Sequence, residues 1–222
     1  MRRGQPRLVW GVPDVSFVAH PLLDRTELAY CARLTTEADR ARHATGRVLA
    51  KLEGANRLGV DPRRLSVVPD VGATVGRPQL FLDHRPSPVH LSIAHAGRVV
   101  VVALGNVPCG VDVEEIAALA PALDTSVAFS ARERARLAET VPEERLALAA
   151  RWWTGKEAAL KAVGVGLAVE AATIDADGGT TRVRALGSVT TLRLIRPRAP
   201  LGYLACLAVV TRRRPARPDR RP

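Results

Sequence analysis

The first half of the chain changes from a helical spacing of apolar positions to a series of short apolar runs. Residues 36–57 have the helical spacing, with a threonine at the expected cap position and Gly59 after the end. Gly, Pro and Asp separate the runs that follow, so we predict strands at residues 65–68, 80–82, 89–93 and 99–104. The segment His95-Ala96-Gly97-Arg98 is the predicted hairpin turn between the last two strands.

The second half repeats this order of elements. Ser130 and Glu133 have capping-box spacing and open a short helix, and a longer helix begins at Pro142 and stops before Gly164. Further strands are predicted at residues 110–113, 167–174, 181–185, 190–195 and 204–210. The pattern therefore predicts an α+β fold of two similar lobes in a pseudo-twofold arrangement, each a long helix on a small, mainly antiparallel sheet. We assign residues 1–105 and 106–211 to the two lobes.

Sequence similarity between the two halves is slight. The tripeptides Thr45-Gly46-Arg47 and Thr154-Gly155-Lys156 lie in the two long helices and are the one local match. Two of the three lysines, Lys156 and Lys161, flank a glutamate in the second helix, whereas nearly all other basic positions are arginine.

The chain is strongly basic, with 33 Lys and Arg against 22 Asp and Glu. Residues 212–222 form a Pro- and Arg-rich end, which we expect to be a disordered tail because it has almost nothing to bury. A basic body favours an anionic partner: a nucleic acid, an acidic protein or a phosphate-bearing small molecule. Charge alone does not choose among these.

Several classes are disfavoured by what the sequence lacks. The three cysteines are distant from one another and from paired histidines, which argues against a disulfide framework or a structural zinc site. No apolar run reaches the roughly 18 to 20 residues of a membrane span, and the basic start leads into no signal-like apolar stretch. We expect a monomeric cytoplasmic protein without a membrane partner.

Two carboxylates lie close together in Gly110-Val111-Asp112-Val113-Glu114. On a strand, alternate residues face the same side, so Asp112 and Glu114 are expected side by side while the valines face the core. Adjacent like charges repel unless a cation or protons intervene, and Mg²⁺ accepts one or two carboxylates together with phosphate oxygens. A solvated strand end is the alternative interpretation.

The long second helix adds a third carboxylate. Glu157 and Lys161 are an i, i+4 pair on one helix face, and Trp153 lies one turn earlier on that face. The pair suits a metal and phosphate site, but it also suits an exposed salt bridge on an ordinary amphipathic helix.

Basic residues that suit phosphate stand elsewhere in the first half. His95 follows a strand beside Gly97, Arg77 lies in the loop Gly76-Arg77-Pro78, and Arg40 and Arg42 are in the first long helix. Histidine and arginine both donate hydrogen bonds to phosphate oxygens, although a lone histidine is more often structural.

Together these segments resemble the longer, two-lobed class of the phosphopantetheinyl transferase superfamily, the class typified by surfactin-synthetase activation. The resemblance rests on three motifs in order: Gly76-Arg77-Pro78 with Leu91 to Gly97, then Gly110 to Glu114, then Trp153 through Lys161 to Leu167. Ala94 departs from the pattern, because many members have a serine before the histidine. This departure bears on affinity for coenzyme A more than on mechanism.

The resemblance implies a function and a set of roles. The activity would be Mg²⁺-dependent transfer of the phosphopantetheine arm of coenzyme A to a serine of an apo carrier protein, releasing adenosine 3′,5′-bisphosphate. Asp112, Glu114 and Glu157 would hold the metal, Glu157 would take the serine proton, and Lys161 would neutralise the pyrophosphate. The nucleotide phosphates would be bound by Arg42, Arg77 and His95.

Two other classes remain as alternatives. A basic nucleic-acid-binding protein fits the arginine content, but neither zinc-finger spacing nor a ribonucleoprotein aromatic signature is present, so we expect no nucleic-acid partner. A metal-dependent phosphodiesterase could use the same three carboxylates, and hydrolysis without a carrier protein would distinguish it.

Overall fold

The computed structural model describes residues 5–69, 77–122 and 127–216. Within these ranges the helices are α1 (Arg25–Ala32), α2 (Glu37–Leu58), α3 (Ala131–Glu139) and α4 (Pro142–Val163). The strands are β1 (Arg7–Gly11), β2 (Leu65–Pro69), β3 (Pro78–Leu82), β4 (Arg85–Pro86), β5 (His90–Ala96), β6 (Val99–Gly105), β7 (Cys109–Glu115), β8 (Thr180–Ala185), β9 (Ser188–Ile195) and β10 (Tyr203–Pro215).

Each long helix packs on small antiparallel sheets. In the first lobe α2 contacts the sheets β1-β6-β5 and β2-β3-β4, and in the second lobe α4 covers one face of β7-β10-β9-β8. The opposite face of β7 and β10 packs against β5 and β6 in an apolar cluster that joins the lobes. The predicted two-lobed α+β class is confirmed, whereas the exact boundary near residue 105 stays a prediction.

The two long helices begin and end where local chemistry favours it. The hydroxyl of Thr36 accepts a hydrogen bond from the amide of Asp39 at the start of α2, and Pro142 occupies the first turn of α4. Gly59 and Gly164 end the helices in the left-handed conformation, with φ of 67° and 78°. Both helices therefore have the predicted extent within a residue or two.

A buried lysine in α4 anchors the short helix before it. Lys156 is fully buried, and its Nζ donates to the carbonyl of Ala128 at 3.0 Å and to Glu133 at 2.6 Å. Glu133 also completes the capping box of α3 by accepting from the amide of Ser130. Lys156 thus has a structural role in fastening α3 to α4.

The first lobe contains the same arrangement. Lys51 is 1% exposed and donates to the carbonyl of Leu22 at 2.7 Å and to Glu27 at 2.5 Å, and Glu27 completes the capping box of α1. Both lysines are the fifteenth residue of a 22-residue helix. With Lys51 matched to Lys156, Thr154 falls opposite Leu49, so the tripeptide match noted in the sequence is out of register.

Three predicted boundaries are wrong. Strand β5 continues through His95 to Ala96, so the hairpin turn is Gly97-Arg98 alone. Residues 167–174, which are described, form no strand. This segment instead contains the short 3₁₀ helices Gly166–Ala168 and Ala171–Thr173. The tail prediction is wrong for residues 212–215, because β10 pairs with β9 as far as Pro215; residues 217–222 lie outside the described ranges.

Two negative expectations can be compared with the described residues. All three cysteines are buried and free. In the ranges that the structure covers, no helix is long and apolar enough to cross a membrane.

Candidate active site

Strand β7 lies directly on the backbone of α4. A Cβ atom placed on Gly110 would be 2.2 Å from the carbonyl oxygen of Ala158 and 2.4 Å from the amide nitrogen of Ala162, closer than real Cβ atoms approach. Only glycine allows this approach. The contact places the carboxylates that follow Gly110 next to the last two turns of α4.

Alternation along β7 is as predicted. Val111 and Val113 are buried in the cluster between the lobes, while Asp112 and Glu114 face the α4 side. Asp112 is 4% exposed, and its Oδ1 accepts a hydrogen bond from the Nζ of Lys161 at 2.6 Å. Burial raises the pKa of Asp112, and this carboxylate in turn raises the pKa of Lys161 against the opposing effect of burial.

Trp153 organises the second carboxylate of the strand. Its indole Nε1 donates a hydrogen bond to Oε1 of Glu114 at 3.1 Å. Burial, followed by the charge of Asp112, raises the pKa of Glu114 to about 7. Glu114 is therefore partly protonated at neutral pH when no cation is nearby.

Glu157 has an unsatisfied buried oxygen. Its Oε1 is shielded from solvent without a hydrogen-bond partner among the described residues, and burial raises its pKa. The predicted ion pair with Lys161 does not form; Lys161 bonds Asp112 instead. The second oxygen of Asp112, Oδ2, is likewise buried and unpartnered in the described part of the chain.

The donor set fits a hard cation. Two buried carboxylate oxygens lack hydrogen-bond partners among the described residues, and the pKa values of all three carboxylates are raised. A divalent ion that prefers oxygen ligands would bind these oxygens and favour the charged form of the carboxylates. Within residues 5–69, 77–122 and 127–216, however, no three acidic, histidine or cysteine side chains already surround one point closely enough to hold a metal. Binding would require the three carboxylates to move closer together, and Oδ2 of Asp112 is available for it while Oδ1 stays bonded to Lys161.

The basic side of the site comes from the first lobe. His95 is solvent-accessible near the end of β5, and desolvation followed by the charges of Arg42 and Lys161 lowers its pKa. Arg42 donates to the carbonyl of Gly97 at 3.2 Å and pairs with Asp39 at 2.5 Å. The structure thus brings Arg42 and His95 to the side of the lobe that faces Lys161.

Arg77 occupies a different place. It lines a cavity of about 210 Å³ with Ser87 and His90, and burial followed by Arg77 lowers the pKa of His90. Gly76, which precedes it in the first motif, lies outside the described residues. The structure thus places Arg77, one of the residues predicted to bind the nucleotide phosphates, beside His90.

Sequence reasoning missed two residues that shape the site. Ser92 is 3% exposed, and its hydroxyl accepts a hydrogen bond from the amide of Val111 at 3.0 Å, which joins β5 to β7. Tyr203, at the start of β10, accepts from the amide of Arg98 at 3.2 Å. A serine within an otherwise apolar strand is a sequence signal for the first, whereas nothing local marks the tyrosine.

Comparison with known proteins supports the family recognised from the motifs. The family model of the 4′-phosphopantetheinyl transferase superfamily matches residues 108–198, which include β7 and α4. A 4′-phosphopantetheinyl transferase of Bacillus subtilis is 27% identical over 140 residues, which is 63% of this chain and 59% of the relative. Both matches are to the superfamily that the motifs resemble, and neither distinguishes the longer two-lobed class.

Proposed function

We propose that this protein transfers the phosphopantetheine arm of coenzyme A to a serine of an apo carrier protein, acting as a cytoplasmic monomer that requires Mg²⁺. The observation that carries the proposal is the set of three carboxylates on β7 and α4, one buried and two half-buried, with Lys161 among them. Such a set suits a substrate that brings a metal-bound pyrophosphate. The superfamily match covers this part of the chain.

Asp112, Glu114 and Glu157 would hold the metal ion. When bound there, Mg²⁺ neutralises phosphate charge and polarises the phosphorus that is attacked. Lys161 is held by Asp112 and is about one-third exposed, at 32% for its side chain, so its ammonium group can also reach a phosphate oxygen. This lysine stabilises the negative charge that builds up during transfer.

Glu157 is our candidate for the general base. Its raised pKa brings its affinity for a proton closer to what a base at neutral pH requires, and its Oε1 has no hydrogen-bond partner among the described residues. The serine hydroxyl gives up its proton as its oxygen attacks the β-phosphorus. The bond to the departing adenosine 3′,5′-bisphosphate breaks in the same exchange.

The nucleotide end of coenzyme A would be bound by the first lobe. His95 and Arg42 offer donors near Lys161, and Arg77 offers a guanidinium in its separate cavity. Because Arg42 is already paired with Asp39, its phosphate contact would be made by the remaining donors of the guanidinium.

The test is transfer by matched variants. Purified protein is incubated with coenzyme A, Mg²⁺ and an apo carrier, and released adenosine 3′,5′-bisphosphate is measured for wild type, Asp112→Asn and Glu157→Gln. We expect both variants to lose about a hundredfold or more in kcat/KM, and Glu143→Gln, an exposed glutamate of the same helix, to behave as wild type. Equal rates for Glu157→Gln and wild type would refute the role of this carboxylate. Phosphodiester hydrolysis without a carrier would favour the phosphodiesterase alternative.

A further inference from the structure

Side chains of the second lobe contact the β5–β6 turn, and one of them, Tyr203, forms a hydrogen bond with it. Tyr203 begins β10, and its phenolic oxygen accepts a hydrogen bond from the amide of Arg98 at 3.2 Å. The two residues are 105 positions apart in sequence. This hydrogen bond connects the hairpin β5–β6, which carries His95, to the sheet β7-β10-β9-β8, which carries Asp112 and Glu114.

The first lobe holds the same turn from the other side. Arg42 of α2 donates a hydrogen bond to the carbonyl oxygen of Gly97 at 3.2 Å. The next amide along the chain, that of Arg98, is the one that donates to Tyr203. Gly97 has a φ of +48°, and a Cβ on it would lie 2.5 Å from the Tyr203 hydroxyl and 2.7 Å from Oε2 of Glu115. A glycine is required both by the backbone conformation and by the close approach of these two side chains.

Tyr203 is well placed to couple the turn to the carboxylates. In the sheet it is the register partner of Glu115, the residue after Glu114. Its ring packs against the apolar cluster between the lobes, which includes Ala94 next to His95 and Val113 next to Asp112. The ring is therefore fixed by packing, and its hydroxyl can set the position of the turn.

We propose that Tyr203 is a positioning residue, whose hydroxyl holds the Gly97-Arg98 turn at a fixed distance from β7. This turn determines where His95 stands relative to the carboxylates on β7 and α4. The inference rests on the proposed function, because it assigns the effect to binding of the coenzyme A nucleotide rather than to chemistry at the phosphorus. Tyr203 itself touches no reacting atom.

The main test is Tyr203→Phe, which keeps the ring and removes only the hydroxyl. Loss of one neutral hydrogen bond predicts a KM for coenzyme A raised by about 3- to 10-fold and a kcat changed less than about twofold. Direct binding of adenosine 3′,5′-bisphosphate, measured by calorimetry, should weaken by the same factor. Tyr30→Phe is the matched control, since Tyr30 is the only other tyrosine, and it should leave both values unchanged.

A purely structural role would give a different pattern. If Tyr203→Phe lowered the melting temperature and left KM for coenzyme A and binding of the bisphosphate unchanged, the positioning role would be refuted. A fall in kcat with unchanged KM would refute it as well.

A second pair of variants tests the geometry itself. Gly97→Ala alone should weaken nucleotide binding strongly, because the new methyl group collides with the Tyr203 hydroxyl. In the Gly97→Ala, Tyr203→Phe double variant one of the two collisions is gone, so the combined loss should be smaller than the product of the single losses. Strictly multiplicative losses would show that the two residues do not act on each other.

A measurement without substrate separates this inference from the proposed function. In NMR spectra of the unliganded protein, Tyr203→Phe should accelerate hydrogen exchange of the Arg98 amide and shift the ring resonances of His95, while Tyr30→Phe should not accelerate that exchange. If these changes occur but the wild-type protein transfers nothing, the proposed function fails and the contact stands. If the Arg98 amide and His95 are unaffected, the positioning role fails whatever the enzyme activity.

Discussion

Replacement of Gly110 by alanine tests whether contact between β7 and α4 builds the site. The added methyl group would lie 2.2 Å from the carbonyl oxygen of Ala158 and 2.4 Å from the amide of Ala162. Both are backbone atoms within a helix, so no side chain can rotate away. The strand must therefore move by about 1 Å, because carbon and oxygen in ordinary contact are well over 3 Å apart.

The consequence for stability and for catalysis can be estimated separately. Overpacking of this kind costs about 1 to 3 kcal/mol of the free energy of unfolding. Asp112 is two residues from Gly110, and its 2.6 Å bond to Lys161 depends on the same strand-to-helix distance. A displacement of about 1 Å at a catalytic group lowers the rate by roughly a hundredfold, which corresponds to about 2.7 kcal/mol of activation free energy, so kcat/KM should fall by about this factor even where the variant remains folded.

Both quantities can be measured on the same preparation. Urea unfolding gives the free energy of unfolding, and adenosine 3′,5′-bisphosphate release gives kcat/KM at a temperature where the variant remains folded. Gly179→Ala is the control, because a Cβ at that position meets nothing within 4 Å and its φ is not in the left-handed region. A folded Gly110→Ala protein with wild-type kcat/KM would refute the argument that this contact positions the carboxylates.

Two further predictions follow from groups around the site. The pKa of Glu114 is about 7 in the folded protein against 4.5 in the unfolded chain, so the folded state binds this proton more tightly. This proton therefore stabilises the metal-free folded state at low pH, and up to about 3 kcal/mol of that stabilisation is lost as pH rises from roughly 4.5 to 7. In chelator, the melting temperature of Glu114→Gln should exceed that of wild type by an amount that increases with pH, and added Mg²⁺ should reduce this difference. A difference in melting temperature that does not depend on pH would contradict the raised pKa. Lys156→Met removes the buried ammonium group that pairs with the partly buried Glu133 and should cost about 3 kcal/mol of the free energy of unfolding. Lys51→Met should lower the free energy of unfolding by a similar amount, measured by urea unfolding. A decrease below about 1 kcal/mol for both variants would contradict the structural role that the two lysines share.

The elements that local patterns specify were predicted well from sequence. Capping residues and stop signals lie within a few positions of the ends they define, so α2 and α4 could be placed within two residues. Alternation on a strand determines which side chains share a face, so Asp112 and Glu114 were expected together. Residues 167–174 are apolar enough for a strand but form two short turns, because an apolar run alone does not distinguish the two.

Partners distant in sequence could not be predicted in the same way. The i, i+4 rule suggested that Lys161 pairs with Glu157, but close packing of β7 on α4 brings Asp112 nearer and the lysine bonds that residue. Lys156 stands next to Glu157 in the sequence, yet the helix turns it towards α3, where it bonds Glu133. Tyr203 shows the same limit, because its role depends on a contact across 105 residues.

The central claim is that this chain moves a phosphopantetheine arm with the help of a metal held at Asp112, Glu114 and Glu157. The most direct measurement is the intact mass of an apo carrier protein after incubation with the enzyme, coenzyme A and Mg²⁺. The account predicts a gain of one phosphopantetheine arm, which disappears with a chelator, with a serine-to-alanine carrier and with Asp112→Asn. A folded enzyme that leaves fatty-acid, polyketide and nonribosomal-peptide carriers all unmodified, or that modifies them equally well in chelator, would contradict it.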